Sequence, residues 1–273
     1  MTNLASVSRG EDNTTSFRHR CQPGGSVAPL LSVQDVRVEF GGIVALVDLT
    51  FTIDEGQICA LIGPNGAGKT TFFNCVSGLY QTSSGRITFD GHELTKLPAY
   101  RMAKLGIART FQNLALFPAL SVLENVMVGA NSLGGSSAKR RKEARAILDR
   151  FSLAHLADHP AAGLPYGTLK RIEFARALAA KPRLLMLDEP AAGLTHSEVD
   201  ELGELIRSLR DEFSLSVLLV EHHMAMVMAI SENIVVLDFG SKIAEGGAED
   251  ISANPRVIEA YLGTPAGGTG APA

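Results

Sequence analysis

A glycine-rich loop between an apolar run and a helical stretch constrains this chain more than any other feature of its sequence. The apolar run extends from Ile58 to Ile62, the helical stretch from Thr70 to Leu79, and the loop between them reads Gly63-Pro64-Asn65-Gly66-Ala67-Gly68-Lys69-Thr70. An unbroken apolar run of strand length is typical of a strand that is buried on both faces. The sequence therefore predicts a strand, a tight loop and a helix in direct succession.

Other strand-length patterns recur along the chain and are separated by helical segments. A continuous apolar run extends from Leu184 to Leu187, and the stretches from Leu215 to Val220 and from Ile234 to Leu237 are also strand-like. The segments from Val36 to Phe40 and from Leu49 to Ile53 alternate apolar with polar residues. Alternation is typical of half-buried strands. Buried strands that alternate with helices predict an α/β fold with a mostly parallel sheet.

Two capping boxes predict where helices begin. Thr195 with Glu198 precedes one helical pattern, and Ser121 with Glu124 precedes another. A Ser or Thr followed three residues later by Glu is a signature of a helix N-terminus. The stretch from about residue 113 to 164 has helical patterns without buried strands, which predicts a helical lobe inserted into the core.

The two ends of the chain lack apolar periodicity. Residues 1–29 are rich in Ser, Thr, Asn, Gly and charge, and residues 264–273 contain only Gly, Pro, Ala and Thr. This composition predicts a flexible extension and a flexible tail on either side of one domain that spans residues 30–263. The N-terminus lacks the apolar segment of a secretory signal, and no uncharged apolar run reaches the roughly 18 residues of a membrane span. We therefore expect any role at a membrane to depend on docking onto another protein.

The charge balance bears on whether the protein binds nucleic acid, and the cysteines bear on its redox compartment and on zinc binding. The formal net charge is −4, from 25 basic and 29 acidic residues. Nucleic acid is not expected as a partner, because neutralising a phosphate backbone usually requires a clustered basic excess. Cys21, Cys59 and Cys75 form no CxxC pair, which is typical of a reducing compartment and indicates no zinc site.

The glycine-rich loop matches G-x-x-x-x-G-K-[ST], a pattern that binds phosphate. Glycines allow main-chain N–H groups to point at phosphate oxygens, and the helix N-terminus adds a partial positive charge. We expect Lys69 to reach the β and γ phosphates of a nucleotide and the Thr70 hydroxyl to ligate Mg²⁺. The other predicted nucleotide-binding residues of this segment are Gly63, Pro64, Asn65, Gly66, Ala67, Gly68 and Thr71. The alternative is a glycine-rich turn that matches the pattern by chance.

Two acidic residues follow the apolar run that starts at Leu184. They are Asp188 and Glu189, and Pro190 comes next. Ligands of open α/β sheets bind at the carboxyl ends of the strands, where these carboxylates are predicted to lie. We expect Asp188 to help hold Mg²⁺ and Glu189 to act as the general base toward water. The alternative is a pair of solvated acids in a turn.

From about Leu30 to Gly263 the order of these motifs resembles the ATP-binding subunit of an ABC transporter. The resemblance implies an α/β P-loop NTPase core with a mostly parallel sheet, an antiparallel β subdomain and an inserted helical subdomain. It also implies ATP hydrolysis, with ATP and Mg²⁺ as cofactors.

The resemblance assigns three more site residues. Gln112 is similar to the glutamine that contacts Mg²⁺ and water and faces the membrane subunits, and His222 is similar to the histidine that senses the γ phosphate. Phe40 is similar to the aromatic residue that stacks on adenine. Two alternatives stay open on the residues alone: Phe40 also continues the core-facing alternation of its strand, and His223 lies beside His222.

The signature loop departs from the family pattern Leu-Ser-Gly-Gly-Gln. Here the chain reads Leu164-Pro165-Tyr166-Gly167-Thr168. In the family this loop binds the γ phosphate of ATP that the partner subunit holds. Pro165 has neither a hydroxyl nor an N–H group, so we expect the N–H groups of Tyr166 and Gly167 to make that contact. Thr195 also replaces an aspartate that is usual in the family.

These departures resemble the importers of branched-chain amino acids. The features are the Tyr-Gly signature, the run from Glu221 to Met224 and the segment from Asn254 to Gly263. ATPases for urea or amide uptake and for lipopolysaccharide export are similar alternatives. A soluble ABC ATPase without a transport role and a small-molecule kinase are alternatives from other classes.

The resemblance also implies partners and a location. It implies membrane permease subunits, a second ATP-binding subunit that is either identical or a paralogue, and indirectly a solute-binding protein. The implied location is the cytoplasmic face of the cell membrane.

Overall fold

The computed structural model describes residues 28–110 and 115–262 of the 273-residue chain. Its strands are β1 (Leu31–Phe40), β2 (Ile43–Ile53), β3 (Ile58–Ile62), β4 (Ser84–Phe89), β5 (His92–Glu93), β6 (Ile107–Arg109), β7 (Leu184–Asp188), β8 (Ser216–Val220), β9 (Asn233–Asp238) and β10 (Ser241–Gly246). Its α-helices are α1 (Lys69–Val76), α2 (Met102–Leu105), α3 (Val122–Gly129), α4 (Ser137–Arg150), α5 (Tyr166–Leu178), α6 (His196–Phe213), α7 (Met224–Ile230), α8 (Ala248–Ser252) and α9 (Pro255–Leu262). Single 3₁₀ turns occur at Ala99–Arg101, Ala130–Leu133 and Ala154–Leu156.

A six-stranded sheet forms the centre of the molecule, in the order β10-β9-β3-β8-β7-β6. The pairs from β9 to β6 are parallel, and β10 is antiparallel to β9. Every residue of β3, β7 and β8 is buried. The continuous apolar runs therefore predicted these strands correctly, and the mostly parallel sheet is confirmed.

A second sheet has four strands in the order β2-β1-β4-β5, and all of its pairs are antiparallel. Its buried side chains pack in one cluster with Phe72 and Phe73 of α1 and with residues of β3, β7 and β8. The first helix after the glycine-rich loop is thus enclosed between the two sheets. This packing fixes the direction in which α1 leaves the loop.

Helices α3, α4 and α5 pack in a separate cluster that continues onto the other face of the central sheet. In residues 115–164 the structure contains no strand apart from a single bridge between Ser121 and Pro160. The capping box at Ser121 is present, since Glu124 accepts the Ser121 N–H at 2.8 Å and the Ser121 hydroxyl accepts the Glu124 N–H at 3.2 Å. Thr195 begins α6, and its N–H donates to the Glu198 carboxylate at 2.8 Å. Across the described ranges, none of the helices is both long and apolar enough to cross a bilayer.

Candidate functional site

The glycine-rich loop connects the carboxyl end of β3 to the first residue of α1 and packs closely against neighbouring backbone. Gly63 has φ +149°, and a Cβ atom there would lie 2.1 Å from the carbonyl oxygen of Leu237. Gly68 has φ +100°, and a Cβ atom there would lie 2.7 Å from the carbonyl oxygen of Ala45. Positive φ and such short distances both exclude larger residues. The loop is therefore held in one shape by β9 and β2.

Lys69 places its ammonium group inside this loop. The Nζ atom donates to the carbonyl oxygens of Gly63 at 2.6 Å and Pro64 at 2.8 Å. Burial lowers the pKa of Lys69, while the negative charges of Glu189 and Asp188 oppose that shift. The first turn of α1 contains no acidic residue, and its leading N–H groups precede the first intrahelical hydrogen bond. The loop thus concentrates positive charge and free N–H donors, as phosphate binding requires.

The two predicted acids lie at the carboxyl end of β7, next to β8. Asp188 is buried as the last residue of the strand. Glu189 is half-buried, and its N–H donates to the carbonyl oxygen of Val220 at 2.8 Å. Its φ of +47° is uncommon for a residue other than glycine. The solvated-turn alternative is wrong for Asp188, because that carboxylate is buried in an ion pair.

Arg109, to which no sequence motif assigned a role, is the partner of Asp188. Its Nη2 atom donates to Asp188 Oδ2 at 2.6 Å, and both side chains are largely buried. Its Nη1 atom donates to Asn74 Oδ1 at 2.8 Å and to Ser77 Oγ at 3.1 Å, while the guanidinium lies 5.4 Å from the centre of the Phe73 ring. Arg109 ends β6, and its pairing with Asp188 depends on β6 lying beside β7 in the sheet, which no local sequence pattern indicates.

The residues present fit a magnesium ion. The Thr70 hydroxyl and the Asp188 carboxylate supply oxygen ligands, which Mg²⁺ prefers, and Arg109 donates to Asp188 Oδ2. No group of three or more His, Cys, Asp or Glu side chains converges as a metal cage in the ranges 28–110 and 115–262. Mg²⁺ is usually bound through one or two protein oxygens together with substrate phosphates. Gln112, the other predicted ligand, lies outside the described residues.

His222 and His223 lie in the short connection between β8 and α7, after Glu221. Their rings stack with centroids 5.3 Å apart. His222 is exposed and His223 is half-buried. Their backbone N–H groups both donate to Glu221 Oε2, at 2.9 and 3.2 Å. Of the two imidazoles, His222 is thus the more accessible to a ligand that binds beyond the strand ends.

Phe40 does not continue the core-facing pattern of β1. Its side chain is 44% exposed, and its ring contacts Tyr80 edge-on with centroids 5.2 Å apart. The core-facing alternation of β1 ends at Val38, and Glu39 and Phe40, the last two residues of the strand, are both exposed. The core alternative is wrong, and Phe40 presents an aromatic face to solvent.

The signature loop leads into the N-terminus of α5. Pro165 is the cap residue and forms no side-chain cap hydrogen bond. The first helical bond of this turn joins the Leu169 N–H to the Pro165 carbonyl at 3.0 Å, so the N–H groups of Tyr166 and Gly167 precede it. The Tyr166 hydroxyl donates to the carbonyl oxygen of Ala192 at 3.1 Å. This bond joins the signature segment to the loop after Glu189.

The C-terminal helix α9 also contacts the glycine-rich loop, through Tyr261. The hydroxyl of Tyr261 accepts a hydrogen bond from the Gly63 N–H. Burial raises the pKa of Tyr261, and this hydrogen bond opposes the rise. The segment after β10 is therefore part of the support of the phosphate-binding loop.

Comparison with protein families gives two matches within this chain. Residues 46–192 match the family described as ABC transporter. Residues 241–267 match the family described as branched-chain amino acid ATP-binding cassette transporter. The first match covers the glycine-rich loop, both acids and the signature segment, and the second covers the helix that contacts Gly63.

Several relatives are similar over nearly their whole length. The high-affinity branched-chain amino acid transport ATP-binding protein BraF of Pseudomonas aeruginosa is 44% identical, with 86% of this chain and 98% of the relative covered. The protein LivG of Escherichia coli, which has the same description, is 41% identical with the same coverage. A probable LivG of Archaeoglobus fulgidus is 38% identical and is covered to 95%.

Solved structures give the same fold. A nucleotide-free ATP-binding cassette from an ABC transporter superposes with a TM-score of 0.78 at 28% identity, covering 87% of this chain and all of that one. A dimeric ATP-binding cassette in a post-hydrolysis state, bound to ADP and Pi, superposes with a TM-score of 0.71 at 27% identity, covering 80% of this chain and 98% of that one.

Proposed function

The chain belongs to the ABC transporter ATP-binding family, the ATPases of transport systems, and on this premise we propose that it drives the import of branched-chain or related amino acids. The observation that carries the choice of solute is the match of residues 241–267 to the branched-chain amino acid family. The relatives with that description support it.

The proposed site lies where three neighbouring parallel strands end. The loop after β3 holds Lys69, the end of β7 holds Asp188 and Glu189, and the turn after β8 holds His222. Strands β3, β8 and β7 are adjacent in the sheet, so their carboxyl ends meet at one edge. This convergence supports the assignment of these residues to one nucleotide.

Each residue has a role that follows from its surroundings. Lys69 already bonds to carbonyl oxygens of the loop, and phosphate oxygens are stronger acceptors for an ammonium group. Glu189 acts as the base that accepts a proton from the attacking water, and His222 contacts the γ phosphate. When bound, Mg²⁺ neutralises phosphate charge, with Thr70, Asp188 and Gln112 as its proposed ligands. Phe40 stacks on the adenine ring.

A second ATP-binding subunit completes the site in this proposal. The N–H groups of Tyr166 and Gly167 at the start of α5 contact the γ phosphate that the partner subunit holds. Exclusion of water between the subunits strengthens these contacts: two unit charges about 4 Å apart interact by about 1 kcal/mol in water and about 4 kcal/mol at an effective dielectric of 20. The bond from Tyr166 to Ala192 supports coupling of this contact to the Glu189 loop.

An apolar groove of about 490 Å³ is the proposed docking site for the permease subunits. Arg109 and Ala115, which flank the segment that contains Gln112, both line it. Leu79 and Phe117 also line it, and these side chains are 53% and 48% exposed. A helix of a membrane subunit would cover this apolar surface. The location proposed with this contact is the cytoplasmic face of the membrane, and a solute-binding protein is proposed as an indirect partner.

Phosphate release by the purified protein tests the catalytic proposal. Lys69→Ala removes the ammonium group, and we expect turnover to fall by about 10³-fold or more. Glu189→Gln keeps the shape of the side chain, so we expect Mg·ATP to bind while hydrolysis falls by about 10²-fold or more. Lys181→Ala, at an exposed surface pair with Glu143, is the control and should leave turnover unchanged. Wild-type turnover in Glu189→Gln would remove this residue as the base.

Solute dependence tests the choice of cargo. We expect leucine, isoleucine or valine, presented with the solute-binding protein to the complex isolated from membranes, to stimulate phosphate release. Stimulation by urea instead, or by none of these solutes, would contradict the proposed cargo. Recovery of the protein only in the soluble fraction, without permease subunits, would favour a non-transport ATPase.

A substitution in the groove tests the permease contact. Phe117→Asp places a charge on the apolar surface, and we expect solute-stimulated turnover to fall by about tenfold or more because a buried charge is costly. The turnover of the isolated subunit should stay unchanged. Phe213→Asp, at a side chain that is 39% exposed at the end of α6, is the matched control. Equal effects of both substitutions would exclude the groove as the docking site.

A further inference from the structure

A buried carboxylate joins the two loops that carry the proposed catalytic residues. Glu221 follows β8 directly, and its side chain is 1% exposed. Its Oε1 atom accepts a hydrogen bond from the Ala191 N–H at 2.7 Å. Its Oε2 atom accepts hydrogen bonds from the N–H groups of His222 at 2.9 Å and His223 at 3.2 Å. One side chain therefore binds the loop after β7 and the turn after β8 at the same time.

Among the described residues, the hydrogen bonds to Glu221 all come from main-chain N–H groups. Within the part of the chain that the structure describes, no Lys or Arg forms an ion pair with it. A buried charge needs compensation, and here three N–H dipoles supply it. The loops that donate these bonds cannot move apart without leaving the carboxylate buried and unpaired, which is costly.

The loop after β7 depends on this bond for its shape. Glu189 has φ +47°, a conformation that is strained for a residue with a side chain. On one side its own N–H is held by the Val220 carbonyl at 2.8 Å. Two residues later the Ala191 N–H is held by Glu221. Because the strained residue is held on both sides, β8 and Glu221 fix the backbone from which its carboxylate projects.

We propose that Glu221 is a positioning residue for ATP hydrolysis, which holds the loop of Glu189 and the turn of His222 in one fixed arrangement. This inference rests on the proposed function, since it takes Glu189 as the base and His222 as the phosphate contact. The binding of ATP depends mainly on the loop after β3, which Glu221 does not contact. Loss of Glu221 should therefore slow the chemical step more than it weakens the binding of nucleotide.

Glu221→Gln is the most informative substitution because it keeps the size of the side chain. A glutamine has one acceptor oxygen, and its NH₂ group is a donor. Its oxygen can accept a hydrogen bond either from the Ala191 N–H or from the N–H groups in the turn of His222. In either case its NH₂ group then faces the N–H donors of the other segment. We expect kcat to fall by about tenfold or more while the KM for ATP stays within about twofold.

Glu232→Gln is the matched control on the full-length protein. Glu232 Oε2 accepts the Ile58 N–H at 2.6 Å, at the opposite end of β3 from the site. The Glu232→Gln substitution therefore alters a contact between a carboxylate and a backbone N–H far from the proposed chemistry. We expect kcat and KM to stay within about twofold of wild type. A wild-type kcat in Glu221→Gln would overturn the proposal. A rise in KM with unchanged kcat would also overturn it.

A triple mutant separates positioning from an independent effect. Because Glu221 is proposed to act through both Glu189 and His222, the background for this test carries Glu189→Gln together with His222→Ala. Addition of Glu221→Gln to this background should cause no further loss of kcat beyond about twofold. A full additional loss would overturn the proposal. Absence of Lys69-dependent turnover in the wild type would instead mean that the proposed function itself has failed.

Amide hydrogen exchange provides a second test that does not require a variant to fold. In the wild-type protein we expect the N–H groups of Ala191, His222 and His223 to be protected, although they lie outside the strands. Fast exchange of these groups while β7 and β8 remain protected would overturn the proposal. In Glu221→Gln we expect faster exchange in the loop, in the turn or in both.

Discussion

Two segments are proposed to bind phosphate, and they differ in how closely the rest of the chain packs around them. They are the loop from Gly63 to Gly68 and the signature segment from Pro165 to Gly167. The loop follows β3, which has hydrogen-bonded strands on both sides. A Cβ atom added at its first or last glycine would clash with a backbone oxygen of β9 or β2. At Gly167, by contrast, an added Cβ atom would meet nothing within 4 Å.

The difference separates two reasons for the presence of glycine. At Gly63 the fold itself excludes a side chain. At Gly167, φ is not positive and the surrounding space is open, so the isolated chain does not need glycine there. A requirement for glycine at position 167 must come from a group that approaches from outside the chain. Substitutions in the two segments should therefore differ in their effect on stability.

Gly63→Ala should have the largest effect on folding. The added methyl group would meet the Leu237 carbonyl oxygen at 2.1 Å in a region of φ that alanine rarely adopts, so we expect the free energy of unfolding to fall by about 4 kcal/mol or more. Chemical denaturation measures this change. Gly66→Ala is the control, because its φ of +81° is also positive but no atom lies within 4 Å; it should cost about 1–2 kcal/mol. Equal losses would mean that close packing is not the cause.

Gly167→Ala should affect activity without affecting stability. We expect turnover to fall by about tenfold or more because the methyl group obstructs the phosphate held by the partner subunit. The free energy of unfolding should stay the same or rise by up to about 1 kcal/mol, since alanine is a better helix former than glycine. Phosphate release and denaturation of the same preparation check both expectations. Full activity would show that no group approaches this position closely.

Phe40→Leu tests the proposed contact with the adenine base rather than with the phosphates. Leucine keeps apolar volume but removes the aromatic face, so we expect the KM for ATP to rise by about fivefold with unchanged kcat, as the loss of about 1 kcal/mol of stacking predicts. Ile43→Leu is the control, since Ile43 is 73% exposed beside the same turn. A change in kcat would indicate a role other than stacking.

Ionisation of the Cys75 thiol should have the smallest effect on the free energy of unfolding, and only at high pH. Burial raises the pKa of this α1 thiol from 9.0 to about 12. Between these values the unfolded chain has lost the thiol proton and the folded chain keeps it, so the stability contribution is present below pH 9 and is lost as the pH rises toward 12. At pH 9.5 we expect this loss to be under about 1 kcal/mol. Denaturation of Cys75→Ala at pH 7 and 9.5 should show a smaller pH dependence than wild type; an identical dependence would contradict the assignment.

The sequence predicted the elements whose signals are local. The apolar run before Gly63 is β3, the run before Asp188 is β7, and the capping box at Ser121 begins α3. Such signals were sufficient because a continuous apolar run or a box of four residues has a structural consequence within one strand or one helical turn. The positions of Lys69, Asp188 and Glu189 at strand ends follow from the same local patterns.

Contacts between residues that are distant in the sequence could not be predicted in this way. Arg109 bonds to Asp188 across a separation of 79 residues, and Glu221 bonds to Ala191 across 30. Each residue alone is an ordinary charged side chain with no distinctive spacing. Their partners depend on which strands become neighbours in the sheet.

The sequence by itself therefore determined the strand–loop–helix unit, the chemistry of the phosphate-binding loop and the acids that follow a buried strand, because residue type and short-range periodicity decide these features. Only the tertiary structure decided that Phe40 faces solvent, that Arg109 bonds to Asp188 and that Glu221 joins the two loops. The physical reason is that burial and hydrogen-bond partners depend on strand order and register, which the whole core sets together.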